Sequence, residues 1–199
     1  MNYAIIGTGK EGQALAGAFA RKGIEVAIAS RRPVKALAPV AKAIGPTISP
    51  KSLKDAVKAD IVLLAVPFGT QKEVAKAAES WQGKIVIDVT NAYGVAPEEL
   101  GNLPSSVVIS QAFLGAKLVK AFNSLSAEVL AQDPNVQGGK RVVFLSSDDE
   151  GGAAQVATLV EQLGFAPVQL GKLAEGGLLI QARGKTWAQL IFQDLVKFQ

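Results

Sequence analysis

Short apolar runs alternate along the chain with longer segments whose apolar residues recur at helical spacing. Residues 61–66 are apolar on both faces, which is typical of a central strand in a parallel sheet. Repeated alternation of strand and helix predicts an α/β fold, a Rossmann-type doubly wound, mostly parallel sheet with a small C-terminal α/β extension. The predicted strands lie near residues 2–6, 24–29, 61–66, 85–89, 107–110, 118–122, 141–146 and 166–169.

The 199 residues contain no linker, low-complexity tract or internal repeat. We therefore expect one NADP-binding domain over 1–199, with a dinucleotide-binding core at about 1–140 and an extension at about 141–199. Within that extension, residues 174–199 are expected to be mostly helical. N-cap patterns predict further helix starts, which fall at Ser49-Pro50, Thr70 and Ser147.

The first strand runs directly into a glycine-rich turn, then an alanine-rich helix and a second strand. Gly7 allows a sharp exit from the strand, Gly9 lets backbone approach a pyrophosphate, and Gly12 permits close packing of helix on strand. Uncapped amides at the helix start attract phosphate. Glu11 is expected to point away from it. The predicted cofactor-binding residues of this turn are Gly7, Thr8, Gly9, Lys10, Glu11 and Gly12.

The second strand ends in Ser30-Arg31-Arg32, where many dinucleotide-binding proteins carry an acid. A carboxylate there would repel a 2′-phosphate, whereas a hydroxyl and guanidinium groups can bind one. Lys35 lies within reach. We therefore assign Ser30, Arg31, Arg32 and Lys35 to cofactor binding and favour NADP over an indiscriminate site; a solvated basic loop is the plainer alternative.

Ligands of doubly wound sheets lie at the carboxyl ends of the strands, where the strand order reverses. Small, apolar and amide residues at these ends suit hydride transfer between stacked rings, which needs positioning and dryness more than acid–base groups. Asp88 is interpreted as an acceptor for backbone N–H groups and Lys120 as a side chain that reaches solvent. No catalytic residue is assigned. The expected ligand contacts are Ala65, Val66, Pro67 and Asn91 for the cofactor, and Phe68, Phe113 and Asn123 for the substrate.

Cysteine and histidine are absent, which excludes disulfides, thiol nucleophiles, histidine catalysis and Cys/His metal sites. We assign no metal. The net charge of +4 comes without a long Lys/Arg run and with few aromatic residues, which argues against nucleic-acid binding. No signal peptide is apparent, and no apolar run approaches the ~20 residues of a membrane span. We expect a cytoplasmic protein with no membrane partner.

Several motifs, taken in order, resemble the family of NADP oxidoreductases that includes the NADPH:coenzyme F-420 reductases. The nucleotide-binding domains of membrane ferric reductases are related to it. The resemblance covers nearly the whole chain. It rests on the glycine turn from Gly7 to Gly12 and on the segments 29–33, 66–67, 87–91, 119–123 and 173–179.

The resemblance implies NADP(H) along the glycine turn and coenzyme F-420 or a flavin as a small-molecule redox acceptor facing its nicotinamide. It also implies a homodimer, for which Trp187, Leu190, Ile191 and Phe192 are candidate interface residues; packing of a helix on its own sheet would explain them equally well. Two departures stand out. Lys10 replaces a usual asparagine, and the histidine that archaeal members use near the acceptor is missing, which leaves the acceptor open.

We therefore expect an NADPH-dependent oxidoreductase that transfers hydride to or from a deazaflavin or flavin-like acceptor. A non-catalytic NADP(H)-binding redox sensor is the second hypothesis, because the sequence identifies no definite catalytic side chain. A truncated relative of the hydroxyacid dehydrogenases or pyrroline-carboxylate reductases ranks last, since 199 residues leave too little chain for their helical substrate domain.

Overall fold

A ten-stranded sheet organises the described residues, which are 1–182 and the backbone of 194–195 in this computed structural model. Its main path runs β10-β8-β6-β5-β4-β1-β2-β3, while β7 and β9 pair with β8. The strands are β1 Tyr3–Ile6, β2 Val26–Ala29, β3 Ile48–Pro50, β4 Ile61–Leu64, β5 Ile85–Asp88, β6 Lys117–Ala121, β7 Asn135–Val136, β8 Gly139–Ser147, β9 Ala166–Gln169 and β10 Asp194–Leu195.

Helices connect these strands and cover both faces of the sheet. They are α1 Lys10–Arg21, α2 Val34–Ile44, α3 Leu53–Ala56, α4 Gln71–Ala75, α5 Ser105–Ala112, α6 Ala127–Ala131, α7 Glu150–Gln162 and α8 Gly176–Leu179, with a 3-10 turn at Pro97–Leu100. No helix in the described part of the chain is long and apolar enough to cross a membrane.

The strands from β3 to β6 confirm the Rossmann-type α/β fold. Their spatial order is β3-β2-β1-β4-β5-β6, and every neighbouring pair among them is parallel. The chain therefore reverses its direction of travel across the sheet between β1 and β4, which is the ligand-binding position of such folds. Strand β8 joins the same sheet antiparallel to β6, and β9 adds parallel to β8.

Alternate residues of the strands supply two main hydrophobic cores, one on each face, beside a smaller cluster of Val142, Phe144 and Ile180. In β1, Ile5 packs with α1 and its Leu15 and Phe19, while Ile6 faces the other core. That second core includes Trp81 and Phe113, whose rings meet edge to face at 4.8 Å. Because side chains of each strand pack alternately into the two cores, the strands are held in place. The loops that follow β1, β4, β5 and β6 are therefore held at the carboxyl edge of the sheet.

Two sequence-based element assignments are wrong. The predicted strand 107–110 belongs to helix α5, because Ile109 and Phe113, four residues apart, both bury into the second core. That packing outweighs the β-propensity of the local sequence. Ser49 and Pro50 end strand β3 instead of starting a helix. The cap is Ser52, whose Oγ accepts from the N–H of Asp55 at 3.1 Å.

Two other predicted caps act differently. Thr70 precedes α4, but its hydroxyl donates to the carbonyl of Pro67 at 2.8 Å instead of capping a helix amide. Ser147 is the last residue of β8, and Asp149 caps α7 by accepting from the N–H of Gly152 at 2.6 Å. A carboxylate suits this place because it also complements the helix dipole.

The mostly helical structure predicted for 174–199 is wrong at two points. Helix α8 lasts a single turn, and residues 194–195 form β10, which pairs antiparallel with Lys140 and Arg141 of β8. The unpaired backbone N–H and C=O groups along the edge of a long strand can form hydrogen bonds with a short segment of chain. The proposed interface residues Trp187, Leu190, Ile191 and Phe192 lie outside the described residues.

Candidate functional site

The turn after β1 accepts only glycine at two of its positions. Gly7 has φ of +116°, and a Cβ placed on it would overlap the carbonyl oxygen of Ala65. A Cβ on Gly12 would overlap the carbonyl of Gly7, so α1 packs directly on the turn. Both constraints agree with the roles expected for these glycines.

Gly9 differs, because packing within the protein does not explain it. Its backbone is extended, with φ of −73°, and a Cβ there would meet no described atom within 4 Å. It is the N-cap of α1 and provides no side-chain cap. The first amides of a helix have no partner inside it. An open approach to uncapped amides fits a bound phosphate group, so the residues present fit a dinucleotide.

Beside this turn a cleft of about 590 Å³ opens at the carboxyl ends of β1, β4, β5 and β6. Its volume is in the range of small-molecule sites. We call it the switch-point cleft, since it lies where the strand order reverses. Its lining residues are Gly9, Lys10, Glu11, Ala65, Val66, Pro67, Phe68, Val89, Thr90, Asn91, Tyr93, Asn123, Ser124, Leu125 and Ser126.

A fully buried ion pair lies at the strand ends next to this cleft. The Nζ of Lys120 is 3.1 Å from Oδ2 of Asp88 and donates to the carbonyl of Thr90 at 3.0 Å. Oδ1 of Asp88 accepts from the N–H and the hydroxyl of Thr90. The expectation that Lys120 reaches solvent is wrong: buried among these acceptors, it holds the start of the loop after β5.

Two asparagines join the loops after β5 and β6 inside the cleft. Asn123 donates from Nδ2 to Oδ1 of Asn91 at 3.1 Å and to the carbonyl of Ile180 at 2.8 Å. Asn91 donates to the backbone carbonyl of Asn123 at 2.9 Å. Asn123 is 6% exposed, and its Oδ1 has no hydrogen-bond partner among the described residues. This buried acceptor can receive a donor from a ligand.

Glu11 places a carboxylate in the same cleft, in the first turn of α1 and two residues after Gly9. The side chain is half-buried, and its Oε2 is a buried atom that pairs with no described residue. Burial raises the pKa of the Glu11 carboxyl, and a hydrogen bond from the backbone N–H of Ala127 partly opposes that rise.

The basic loop after β2 lies outside the lining of the switch-point cleft. Ser30 accepts from the backbone N–H of Arg32 at 3.1 Å, and the Arg32 guanidinium donates to the carbonyl of Ala36 at 3.2 Å. Arg31 is 4.0 Å from Glu73, and both side chains are exposed. Lys35 is exposed as well. The loop continues the carboxyl edge from β1 to β2, so a long ligand could reach both.

Of the residues predicted for substrate, Phe68 and Asn123 line the cleft, whereas Phe113 does not. Phe113 is 1% exposed and packs on Trp81 in the second core, because α5 replaces the predicted strand. Six lining residues were not among the assigned ligand contacts, although Val89, Thr90 and Ser124 belong to strand ends that were expected at this site. These six residues are Val89, Thr90, Tyr93, Ser124, Leu125 and Ser126.

A parallel sheet in Rossmann order, with a glycine turn and a cleft at its switch point, is the arrangement of a Rossmann-type dinucleotide-binding domain. Residues 2–92 match the family described as NADP oxidoreductase, coenzyme F420-dependent. A solved structure of a putative F420-dependent NADP-reductase from Arthrobacter sp. FB24 is 30% identical, covers 87% of this chain and 86% of its own, and superposes with a TM-score of 0.71. The chain belongs to this family of NADP-dependent oxidoreductases.

Other relatives extend the similarity. A hypothetical protein from Sinorhizobium meliloti is 40% identical over 100% of this chain and 96% of its own, with a TM-score of 0.90. The metalloreductase STEAP3 of Rattus norvegicus is 27% identical over 85% of this chain. The chain spans about a third of the length of the curated relatives it matches, 34% for STEAP3.

Proposed function

We propose that this chain transfers hydride between NADPH and a deazaflavin or flavin-like acceptor in the switch-point cleft. The observation that supports it most strongly is the continuity of that cleft with the turn at Gly9. A dinucleotide could lay its phosphates on the turn and its nicotinamide between Pro67 and Asn123. When bound, NADPH supplies the hydride, and the acceptor takes it up.

The residues of this chain would bind and orient the two rings. The amides at the start of α1 would hold the pyrophosphate, and Ser30, Arg31, Arg32 and Lys35 would bind the 2′-phosphate. The buried Oδ1 of Asn123 suits an amide donor such as the carboxamide of nicotinamide.

Apolar residues on one side of the cleft would keep the rings dry. Ala65, Val66, Pro67 and Phe68 follow β4, and Leu125 lines the cleft from the loop after β6. Excluding water and fixing the distance between two rings is most of what hydride transfer asks of a protein.

Anaerobic mixing with NADPH and coenzyme F-420, FMN, FAD or riboflavin tests the proposal. We expect loss of absorbance at 340 nm with at least one acceptor, faster than without protein. Tight NADPH binding without turnover of any acceptor would contradict hydride transfer and favour the redox-sensor alternative. A ferric chelate added with each flavin asks whether the reduced acceptor passes electrons to metal, as the names of the metalloreductase relatives suggest.

A pair of glycine variants controls for folding. Gly9→Ala adds a methyl group that meets no described atom, so the variant should fold while its backbone loses close approach to phosphate. Gly17→Ala adds the same group elsewhere on α1, where the nearest atom that it would meet is Nη1 of Arg21 at 3.8 Å. We expect NADPH binding to weaken in the first variant and stay unchanged in the second. A homodimer and a single domain over 1–199 stay predictions.

A further inference from the structure

We propose that Glu11 sets the preference of the switch-point cleft for oxidised over reduced coenzyme, because its carboxylate attracts the cationic nicotinamide ring of NADP⁺ and not the neutral ring of NADPH. This inference rests on the proposed function, since it requires the nicotinamide to occupy this cleft. It adds a role that the glycine turn alone does not provide.

The carboxylate of Glu11 lies where it can act on a ring in the cleft. Glu11 lies in the first turn of α1, and its side chain lines the cleft together with Pro67 and Asn123. Its Oε2 is shielded from solvent and has no partner within residues 1–182. A buried acceptor without a donor is unfavourable by itself. A cationic ring in the cleft would compensate that charge, while a neutral ring would not.

A purely structural role for Glu11 explains one of its carboxylate contacts but not its negative charge. The carboxylate accepts from the backbone N–H of Ala127 and so connects α1 to the start of α6. Glutamine could make the same hydrogen bond without a charge. Glu11→Gln therefore separates the structural contact from the electrostatic effect.

Within residues 1–182, the other titratable residues that line the cleft are Lys10, on the same helix, and Tyr93, on the loop after β5. Glu128 lies in the first turn of α6 and is exposed. The Asp88–Lys120 pair is buried at the strand ends and compensates itself. Among the described residues, Glu11 is thus the acid that can respond to a ring charge in the cleft.

Measured dissociation constants test the inference directly. Binding of NADP⁺ and of NADPH is titrated by calorimetry for the wild-type protein, for Glu11→Gln and for the control Glu128→Gln. We expect Glu11→Gln to weaken NADP⁺ relative to NADPH by about tenfold, a modest effect for opposite charges near a protein surface. A tenfold change in this ratio corresponds to about 30 mV in the potential of a bound two-electron couple. The Glu128→Gln ratio should equal that of wild type.

The pH dependence of the ratio of the two dissociation constants gives a second readout. The preference for NADP⁺ should be present when Glu11 is ionised and should disappear as the pH falls through its raised pKa. Both coenzymes carry the same 2′-phosphate, so its own titration cancels in the ratio. In Glu11→Gln the ratio should be flat from about pH 5 to about pH 8.

The two outcomes that contradict these ideas are distinguishable. If both coenzymes bind but the ratio is independent of pH and unchanged by Glu11→Gln, the inference is wrong and the proposed function stands. If the wild-type protein binds neither coenzyme, the proposed function is wrong and the inference with it.

Discussion

The two ends of the candidate site hold their charged groups in opposite ways. At the strand ends beside the switch-point cleft, Asp88 and Lys120 are fully buried, 3.1 Å apart, and share Thr90 as a common partner. At the basic loop after β2, Arg31 and Glu73 are 4.0 Å apart with side chains 74% and 62% exposed. The buried pair stabilises the fold, whereas Arg31 of the exposed pair can leave Glu73 and bind a ligand instead.

This difference follows from position in the sheet. Strands β5 and β6 are central and flanked on both sides, so a polar group at their ends must find its partner within the protein. The loop after β2 is near the β3 edge of the sheet and is open to water, where a guanidinium keeps its hydration until an anion arrives. Substitutions of the Asp88–Lys120 pair should therefore impair folding, whereas substitutions in the loop after β2 should impair binding.

The largest effect is expected from Lys120→Met, which leaves the buried carboxylate of Asp88 without its cation. Removing one partner of a buried pair destabilises a protein by about 3–5 kcal/mol. Urea unfolding followed by circular dichroism measures this loss. The double variant Asp88→Asn with Lys120→Met should recover most of it, because asparagine still accepts from Thr90 and no charge remains.

Lys58→Met is the matched control for that variant. It removes a lysine whose Nζ is 2.8 Å from Asp55, a shorter distance than that of the buried pair, but both side chains are exposed. We expect little change in its free energy of unfolding, since solvent screens exposed pairs. Equal losses in Lys58→Met and Lys120→Met would contradict the contrast between the two kinds of site.

At the other end, Arg31→Ala combined with Arg32→Ala should change coenzyme selectivity. Loss of charge-assisted hydrogen bonds to the 2′-phosphate should weaken NADPH by about 10- to 100-fold while NADH changes little. Calorimetric titration with both coenzymes measures the ratio, and urea unfolding should show that the fold persists. Parallel losses for NADPH and NADH would mean that these arginines do not select the phosphate.

Features of the site that depend on local sequence could be predicted from the sequence alone. The roles of Gly7 and Gly12 follow from local geometry, because a strand, a tight turn and a helix within twelve residues leave little choice. The parallel strands β1, β2, β4, β5 and β6 also follow from local patterns, since each has its own apolar run, whereas β3 with its Ser49 and Pro50 does not. The position of Ser30, Arg31 and Arg32 needs only the end of β2.

The buried network could not be predicted in that way. Asp88 and Lys120 are 32 residues apart and meet only because β5 and β6 are neighbours in register. A lone lysine in an apolar strand is indistinguishable, by sequence, from one that reaches solvent. Phe113 was misplaced because its segment has strand propensity, and only the packing of Ile109 and Phe113 on the sheet makes it helical.

A smaller effect is expected from Asn123→Ala. The substitution removes the donor to the carbonyl of Ile180 and to Asn91, and it opens a small gap in the cleft wall. Stability should fall by about 1–3 kcal/mol, the range for a buried polar group left unpaired. Urea unfolding checks the loss. Asn123→Asp keeps the shape but removes donors, so a stability equal to wild type in that variant would show that the hydrogen bonds to Ile180 and Asn91 contribute nothing.

The smallest effect is expected from Glu73→Gln, which tests whether Arg31 is held back by its exposed partner. Removing this carboxylate frees the guanidinium and takes a negative charge away from the proposed phosphate position, so NADPH should bind about two- to fivefold more tightly. The gain should shrink as salt rises, because exposed charges are screened within about 10 Å at 0.1 M salt. Calorimetric titrations at low and high salt measure it, with NADH as the coenzyme that should not respond. Weaker NADPH binding in Glu73→Gln would mean that Glu73 orients Arg31 toward the ligand, which would make the adenosine end as preorganised as the buried one.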